Sequence, residues 1–407
     1  MRATKLLTSA LAVLLALSAA GCTIGAKALA APAEAIDPRL AEANLGFALT
    51  LYRELLAIEP RPNLFISPVS IGMALAMTYN GAAGTTQAAM AKALGLDGLT
   101  LEELNAANAE LLTILNNPDP KLQLKVANSI WAERNMTFLP DFLERNERFY
   151  QAEVTALDFA DPQALLTINS WVKRQTNGKI DRIINQLDPM DVMVLVNAVY
   201  FKGNWTDRFD PAATREGPFT VADGSVKQHL LMHRTGQYRY LEGDGFQAVG
   251  LPYGGGRVSM YVFLPSETSS LDSFHARLTP EAWQEWMAAF SNSEVRLALP
   301  KFRLEYDQEL TGALTALGMG IAFEAGRADF SGMCPPPARP YIGEVKHKTY
   351  VDVNEAGTEA AGVTAVTIRV TAMPRIAELT VNRPFFFAIR DDKTGTLLFM
   401  GSVADPR

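Results

Sequence analysis

The chain has 407 residues, of which 48% are hydrophobic and 20% charged, a composition typical of a folded protein with a large core. Its net charge is −7 and it contains no dense run of Lys and Arg, which argues against a nucleic-acid partner. The two cysteines, Cys22 and Cys334, stand far apart in the sequence, which excludes a multi-disulfide scaffold, and we expect Cys334 to be a free thiol.

Residues 1–21 have the pattern of an export signal. Arg2 and Lys5 precede an apolar run that is too short for a membrane span and that ends in small residues. Ala19-Ala20-Gly21-Cys22 resembles the bacterial lipoprotein box, which implies that Cys22 is lipidated and anchors the protein to a membrane. Plain secretion, with cleavage after Ala30, is the alternative. We therefore expect export, to the cell envelope as a lipoprotein or to the extracellular space.

Residues 22–38 are rich in Ala and Pro and lack a long periodic apolar face, which is typical of a tether. We find no internal repeat and no linker after residue 39. The sequence therefore predicts one folded domain over residues 39–407.

Hydrophobic spacing predicts both helices and strands along this domain. Steps of three and four residues between apolar positions, together with capping signals, indicate helices. These predicted helices cover residues 39–56, 71 onwards, 100–115, 141–150, 168–180, 280–290 and 308–317. Alternating or wholly apolar runs indicate strands. These predicted strands cover residues 63–67, 122–131, 192–201, several segments within 219–264, 294–306, 343–353 and a hairpin within 384–403.

The segment 358–370 alternates like a half-buried strand, although it has weak strand propensity. Its even positions, from Thr358 to Val370, are small or apolar, whereas the odd positions include Glu359 and Arg369. The first half, Gly-Thr-Glu-Ala-Ala-Gly, consists mainly of small residues that have little to pack. The segment is therefore able to become a strand without being compelled to form one.

This segment, EAGTEAAGVTAV, resembles the hinge of the serpins, inhibitors whose exposed reactive loop inserts into their own main sheet after a protease cuts it. Three further stretches resemble serpin motifs in the family's order: NLFISPVSIGMALAMTYNGAAGTT, NSWVKRQTNGKI and LVNAVYFKGNWTDRF. The resemblance covers residues 39–407 and implies an α+β serpin fold. That fold has a large mixed central β-sheet, two further sheets, eight or nine helices and an exposed reactive-centre loop at about 357–375.

The resemblance implies that the protein is a serine protease inhibitor acting as a suicide substrate, and a monomer that needs no cofactor. It supplies no catalytic residue, so it is not an enzyme. In the family the cut bond lies fourteen residues after the hinge glycine, which places it between Thr371 and Ala372 when counted from Gly357. Val370 and Met373 remain open as alternative positions. Thr or Val before the bond favours an elastase-like or subtilisin-like protease, because these enzymes have a small apolar specificity pocket.

The resemblance also assigns roles to individual residues. The hinge comprises Glu355, Gly357, Thr358, Glu359, Ala360, Ala361 and Gly362. The polar cluster where the central strands part, the shutter, comprises Ser67, Ser70, Asn197 and His347. The region where the loop first enters comprises Trp205, Lys301 and Glu355, with Lys301 and Glu355 as a candidate ion pair. Because Asn197 and His347 lie in apolar strands, we expect them to be hydrogen-bonded; core polar groups without a switching role are the alternative interpretation.

Other functions have weaker support in the sequence. His229 and His233 form an i, i+4 pair, but the segment reads as a strand and has no glutamate of a zinc protease motif, so we expect no metal site. No Gly-x-Ser-x-Gly elbow of a hydrolase occurs. A non-inhibitory serpin that serves as a binding or transport protein is the alternative from another functional class. Such relatives usually carry bulky, charged or proline-containing hinges, which this chain lacks.

Overall fold

The computed structural model describes residues 36–58, 63–116, 119, 121–358 and 376–407. The predicted signal peptide with Cys22, nearly all of the tether, the hinge positions 359–362 and the predicted bond between Thr371 and Ala372 lie outside the described residues. Within the described ranges, no helix is long and apolar enough to cross a membrane.

Nine α-helices occur among the described residues, in agreement with the eight or nine expected. They are α1 (Pro38–Ile58), α2 (Pro68–Tyr79), α3 (Gly84–Leu94), α4 (Leu101–Leu115), α5 (Pro140–Tyr150), α6 (Pro162–Gln175), α7 (Leu271–Ala276), α8 (Pro280–Ala289) and α9 (Thr311–Leu314). Helix α4 begins with a capping box, since the Thr100 side chain accepts from the Glu103 N–H while the Glu103 carboxylate accepts from the Thr100 N–H.

Helix α6 starts six residues before the predicted boundary. Asp161 caps it by accepting a hydrogen bond from the Gln163 N–H. Pro162 occupies the first helical position, where a backbone N–H would have no hydrogen-bond partner within the helix. The helix ends at Gln175, ahead of Asn177 and Gly178, which take positive φ angles of 50° and 77°. The expected stop residues are therefore correct, but the prediction extended the helix too far.

The strands in chain order are β1 (Asn63–Ile66), β2 (Leu122–Glu133), β3 (Glu153–Leu157), β4 (Met193–Asn204), β5 (Arg215–Thr220), β6 (Val226–Gly243), β7 (Phe246–Tyr253), β8 (Val258–Pro265), β9 (Ser291–Pro300), β10 (Phe302–Glu309), β11 (Lys346–Asn354), β12 (Gly357–Thr358), β13 (Ala377–Thr380), β14 (Phe385–Asp391) and β15 (Leu397–Val403). Six of them form a mixed sheet in the order β10-β11-β12-β4-β2-β3. In it β2 and β3 run parallel, whereas the other neighbours are antiparallel. This is the large mixed central sheet that the resemblance implied.

The two further sheets expected from the resemblance are joined here into one. Their strands follow the order β1-β15-β14-β8-β7-β6-β9-β13, and β5 also pairs with β6. The join is β6, which has 18 residues, pairs with β9 from Leu231 to Tyr240 and pairs with β7 from Arg239 to Gly243. One long strand therefore runs through both halves.

The alternating stretch 294–306, predicted as one strand, is two strands in two different sheets. Strand β9 ends at Pro300, which has no N–H for a ladder hydrogen bond, and β10 begins at Phe302. Between them the Lys301 N–H donates to the Leu230 carbonyl oxygen. The second strand continues to Glu309, so the helix predicted over 308–317 begins later, at Thr311. It continues beyond α9 as a π-helical turn, Thr315–Met319, in which Gly318 has a positive φ of 97°, as the predicted end at this glycine requires.

The main core packs the inner face of the six-stranded sheet against α1, α2 and the nine-stranded sheet. On the outer face of the six-stranded sheet, α6 covers β2 and β4 through a second apolar cluster. This cluster includes Trp131, Ile168, Trp171, Val196 and Ala198. Strand β4, one of the two strands beside β12, is therefore covered by the main core on its inner face and by α6 on its outer face.

Candidate functional site

The candidate site is a gap in the six-stranded sheet, between β4 and β11. Of the described residues, only the two of β12 pair with both strands. Gly357 pairs with Asn204 of β4 and Asn354 of β11. Thr358 pairs with Gly203 of β4 and Val353 of β11. It is only 2% exposed, and its hydroxyl lies 2.9 Å from the Tyr253 hydroxyl. The chain thus turns back after β11 and begins a new antiparallel strand at one end of the gap.

Gly357 sits where no other residue fits. Its φ is +138°, and a Cβ added there would lie 2.1 Å from the carbonyl oxygen of Gly203 and 2.7 Å from the Cα of Asn204. Glycine is needed both for the dihedral angle and for the close approach of the two backbones. The structure therefore gives a steric reason why residue 357, the predicted hinge glycine, is a glycine.

Glu355 fixes the turn that precedes β12. Its carboxylate lies 3.0 Å from the Lys301 ammonium group and accepts a 2.9 Å hydrogen bond from the Thr214 hydroxyl. Burial alone would raise the pKa of Glu355, but its own N–H, Lys301 and Thr214 together hold that pKa below its ordinary value. The carboxylate is therefore ionised at neutral pH and stays bound in the turn.

Trp205 packs beside the turn. Its ring stacks on Tyr253 with 4.3 Å between the ring centroids, and its Nε1–H donates to the Asn354 carbonyl oxygen at 2.9 Å. Its backbone N–H donates to the Ala356 carbonyl oxygen at 3.0 Å. The structure therefore brings Trp205, Lys301 and Glu355 to the same end of the gap, around the start of β12.

Three of the four residues assigned to the shutter take part in two separate hydrogen-bonded groups, and the fourth, Ser70, lies beside them. His347 accepts at Nε2 from the Ser67 N–H at 3.0 Å, and the Ser67 hydroxyl donates to the Leu398 carbonyl oxygen at 2.7 Å. On the other side of the gap, Asn197 Nδ2 donates to Asn128 Oδ1 at 2.6 Å. Ser70 is buried at 1% exposure and lines the same cavity.

Asn197 and His347 face each other across this cavity without bonding to one another. Burial lowers the pKa of His347 to about 3, so its imidazole is neutral at physiological pH. Oδ1 of Asn197 is buried and has no hydrogen-bond partner among the described residues. The cavity is therefore lined by polar groups, one of which has an unused acceptor.

The cavity has a volume of about 380 Å³ and lies where β4 and β11 are not bridged by β12. Residues 193–197 line it from β4, and residues 345–347 line it from the β11 side. Its floor is α2, through Ser70, Ile71 and Ala74. The walls are thus two sheet strands with no strand of the described part of the chain between their facing edges at this point.

The sequence analysis did not identify three polar residues whose hydrogen bonds support the site. Asn128 is buried at 3% exposure and connects Asn197 to the Tyr150 carbonyl oxygen, and Thr349 donates to the Phe65 carbonyl oxygen at 2.6 Å. Thr214 binds Glu355. A polar residue on the apolar face of an alternating strand was the available signal for Asn128 and Thr349. Thr214 gave no such signal.

The remaining candidate groups do not form a catalytic or metal site. His229 contacts the Lys301 carbonyl oxygen at 2.5 Å, and burial, followed by the charge of Arg215, lowers the pKa of His233. Among the described residues, no group of three potential metal ligands occurs. Cys334 is buried and unpaired, and burial raises its pKa to about 11.

One serine lies beside a histidine, but it is not accessible. His275 Nε2 lies 2.9 Å from the Ser402 hydroxyl, which also contacts the Tyr52 hydroxyl at 2.5 Å. Ser402 is only 4% exposed, and burial lowers the pKa of His275 to about 4. This arrangement joins α1, α7 and β15 in the core, and a substrate cannot reach it.

The comparisons with known proteins agree with this architecture. The family model described as "Serpin (serine protease inhibitor)" matches residues 42–406. The chain is 38% identical over 381 residues to the horse leukocyte elastase inhibitor, covering 90% of this chain and 100% of the relative. It is 38% identical over 376 residues to serpin B6 of Macaca fascicularis, covering 90% of this chain and 99% of the relative.

Two solved structures also match over most of the chain. The native state of tengpin, described as a thermophilic serpin, superimposes with a TM-score of 0.83 and 36% identity, covering 91% of this chain and 95% of tengpin. Thyroxine-binding globulin in complex with thyroxine superimposes with a TM-score of 0.81 and 30% identity, covering 90% of this chain and 99% of that protein. On this evidence the chain belongs to the serpin family.

Proposed function

We propose that this serpin inhibits serine proteases as a suicide substrate, trapping the acyl-enzyme by inserting its cleaved loop into the gap between β4 and β11. The observation that carries the proposal is the pairing of β12. Gly357 and Thr358 already form an antiparallel strand bonded to both walls at one end of a gap, and further along no described strand separates these walls, which line a cavity. A cut at Thr371 would free the chain that follows Thr358 to extend this strand.

The register of β12, continued along the gap, gives each loop residue a defined neighbour. Thr364 would lie opposite Asn197 and His347, and Val366 would lie opposite Leu195 and Val345. The Thr364 hydroxyl would then be beside the unused Asn197 acceptor, and Val366 would enter the cavity. Polar and apolar loop residues therefore match the polar and apolar parts of the walls.

The expected gain is large enough to disable a protease. Burying the three aliphatic side chains Val366, Ile368 and Val370 contributes about 2 kcal/mol each, before any new backbone hydrogen bond is counted. Removing one oxyanion-hole donor costs a protease roughly 3–4 kcal/mol of transition-state stabilisation. Insertion can therefore distort the bound active site, provided that it is faster than hydrolysis of the acyl-enzyme.

The target class follows from the loop and from the relatives. With Thr371 before the cut bond and Ala372 after it, a protease with a small apolar specificity pocket is favoured, elastase-like or subtilisin-like. The leukocyte elastase inhibitors among the relatives support this assignment. The chain contributes no catalytic group, because the protease performs the acylation itself.

We also propose that the protein is exported and anchored to a membrane through lipidated Cys22. The charged start, the short apolar run and the Ala-Ala-Gly-Cys sequence support this proposal. Residues 22–35 would then space the folded domain from the membrane surface.

The test of inhibition is a gel assay with elastase-like, subtilisin-like, chymotrypsin-like and trypsin-like enzymes. We expect a denaturant-resistant band at the summed mass of one inhibitor and one protease. Ala360→Arg should convert the protein into an ordinary substrate, because residue 360 would have to pass between Phe201 and Val351 on the buried face. Arg369→Gln in the same loop is the control and should leave trapping intact.

If the Ala360→Arg variant traps protease as well as the unchanged protein does, the insertion account is wrong. Cleavage by every enzyme without a stable complex would instead favour the non-inhibitory alternative. Thyroxine-binding globulin, one of the structural neighbours, is described in complex with thyroxine.

A further inference from the structure

The path that an inserting strand would follow is covered on its outer face by a segment that we call the strap, residues 176–184. The strap leaves the end of α6 at Thr176, reverses at Asn177 and Gly178, and returns along α6. Asn169 of α6 holds its far end, accepting from the N–H groups of Ile183 and Ile184 at 2.9 and 3.2 Å. The strap is thus fixed to the helix that covers β4.

The strap also reaches β11, on the other side of the gap. The Lys179 ammonium group lies 5.3 Å from the ring centroid of Tyr350, within the range of a cation–π contact. The Arg303 guanidinium also lies over this ring, 5.0 Å from its centroid. The two contacts differ in what they connect. Arg303 belongs to β10, which is paired with β11, whereas Lys179 links β11 to the strap.

The described residues enclose a very small cavity between the strap and the sheet beside Thr358. It has a volume of only about 10 Å³ and is bounded by Thr176, Lys179, Ile180, Phe201 and Tyr350 among others. This volume is close to that of a single water probe. Continuing the register of β12 would bring Ala361 opposite Tyr350 with its side chain on the outer face, towards the strap. An advancing strand would therefore bring the Ala361 side chain to the side of the sheet on which the strap contacts Tyr350.

We propose that the Lys179–Tyr350 contact is a clamp that holds the strap across the gap and slows loop insertion, so that Lys179 helps to set the division between trapping and release of the protease. Lys179 is a positioning residue in this scheme, since it acts on the strand's path and touches no reacting atom. The inference rests on the proposed insertion mechanism.

The test measures insertion without any protease. A synthetic peptide of the loop sequence 358–371 is incubated with the intact protein, and the rise in melting temperature is followed over time. In Lys179→Gln and in Tyr350→Leu we expect uptake to be roughly two- to fivefold faster, the factor that corresponds to one solvent-accessible cation–π contact. The double variant should be no faster than the single variants, because both remove the same contact.

Three further variants test whether faster uptake results from loss of the Lys179–Tyr350 contact or from any destabilising change on this surface. Lys179→Arg and Tyr350→Phe keep the cation and the ring, and both should retain the uptake rate of the unchanged protein. Arg303→Gln removes the other cation from the same ring without crossing the gap, so it should also leave the rate unchanged. Equal acceleration by Arg303→Gln and Lys179→Gln would contradict the clamp, as would unchanged rates in Lys179→Gln and Tyr350→Leu.

The protease assay supplies a second readout. Lys179→Gln should lower the number of inhibitor molecules consumed per protease trapped, because faster insertion competes better with hydrolysis of the acyl-enzyme. If the peptide never enters the unchanged protein and no protease is trapped, the proposed function itself fails. If the peptide enters and protease is trapped, but neither rate nor stoichiometry responds to Lys179→Gln, only the clamp fails.

Discussion

Acidification should weaken this fold through His347. The imidazole is neutral because its Nε2 accepts the Ser67 N–H, and burial lowers its pKa to about 3. In the unfolded chain the pKa of a histidine is about 6.5. Below that pH the unfolded state therefore binds a proton that the folded state excludes. The contribution of His347 to stability is complete above about pH 6.5 and declines as the pH falls towards 3. The loss is about 2 kcal/mol at pH 5, about 4 kcal/mol at pH 3, and approaches its limit of about 5 kcal/mol only below pH 3.

The assay compares the unchanged protein with His347→Gln by denaturant unfolding at pH 7.5 and pH 5. Glutamine carries no titratable group and can still accept the Ser67 N–H through its amide oxygen. The difference in unfolding free energy between the two proteins should therefore shift by about 2 kcal/mol in favour of the variant at pH 5. A difference that does not change with pH would refute this reasoning.

A second histidine provides the control for location. Burial lowers the pKa of His275 to about 4, so it should cause a similar acid-dependent loss of stability. His275, however, contacts Ser402 and does not line the cavity between β4 and β11. Only protonation of His347 breaks the bond from Ser67, so acid should speed uptake of the loop peptide in the unchanged protein and in His275→Gln, but not in His347→Gln.

Three further predictions concern the hinge and the anchor. Gly357→Ala should lower the free energy of unfolding, measured with urea, by roughly 1–3 kcal/mol more than Gly98→Ala, because Gly98 also has a positive φ but has no atom within 4 Å of the position that a Cβ would take. Glu355→Gln should lower it by about 1 kcal/mol and reduce its salt dependence, since the variant loses the ion pair with Lys301. Cys22→Ser should abolish incorporation of labelled fatty acid in cells and release the protein from membranes; equal labelling of both forms would rule out the anchor.

The sequence was a reliable guide wherever a local pattern determines the structure. The capping signal at Thr100, the stop at Asn177-Gly178 and the apolar run of β4 all depend on neighbouring residues. The structure gives a steric reason for a glycine at position 357, while the assignment of the hinge, made by resemblance, stays a prediction.

Structural features that depend on which strands pair with each other could not be predicted from local sequence patterns. The apolar positions are odd-numbered up to Leu299 and even-numbered from Phe302, so the alternation changes phase at Pro300-Lys301. This shift marks a break, but it does not identify the strand partners that place β9 and β10 in different sheets. Similarly, the pattern predicts that Asn197 needs a partner but cannot identify Asn128, 69 residues away in the chain, as that partner. The merging of two sheets through β6 could not be predicted for the same reason. It depends on β7 and β9 pairing with different parts of one long strand.

The position of Trp205 has a practical consequence. Its indole is stacked on Tyr253 and bonded to Asn354, where β11 ends and the turn into β12 begins. Indole emission depends on such contacts, so rearrangement of this turn should alter the light that the protein emits. A variant in which the other four tryptophans are replaced by phenylalanine would carry its own optical probe of the hinge, without any attached dye.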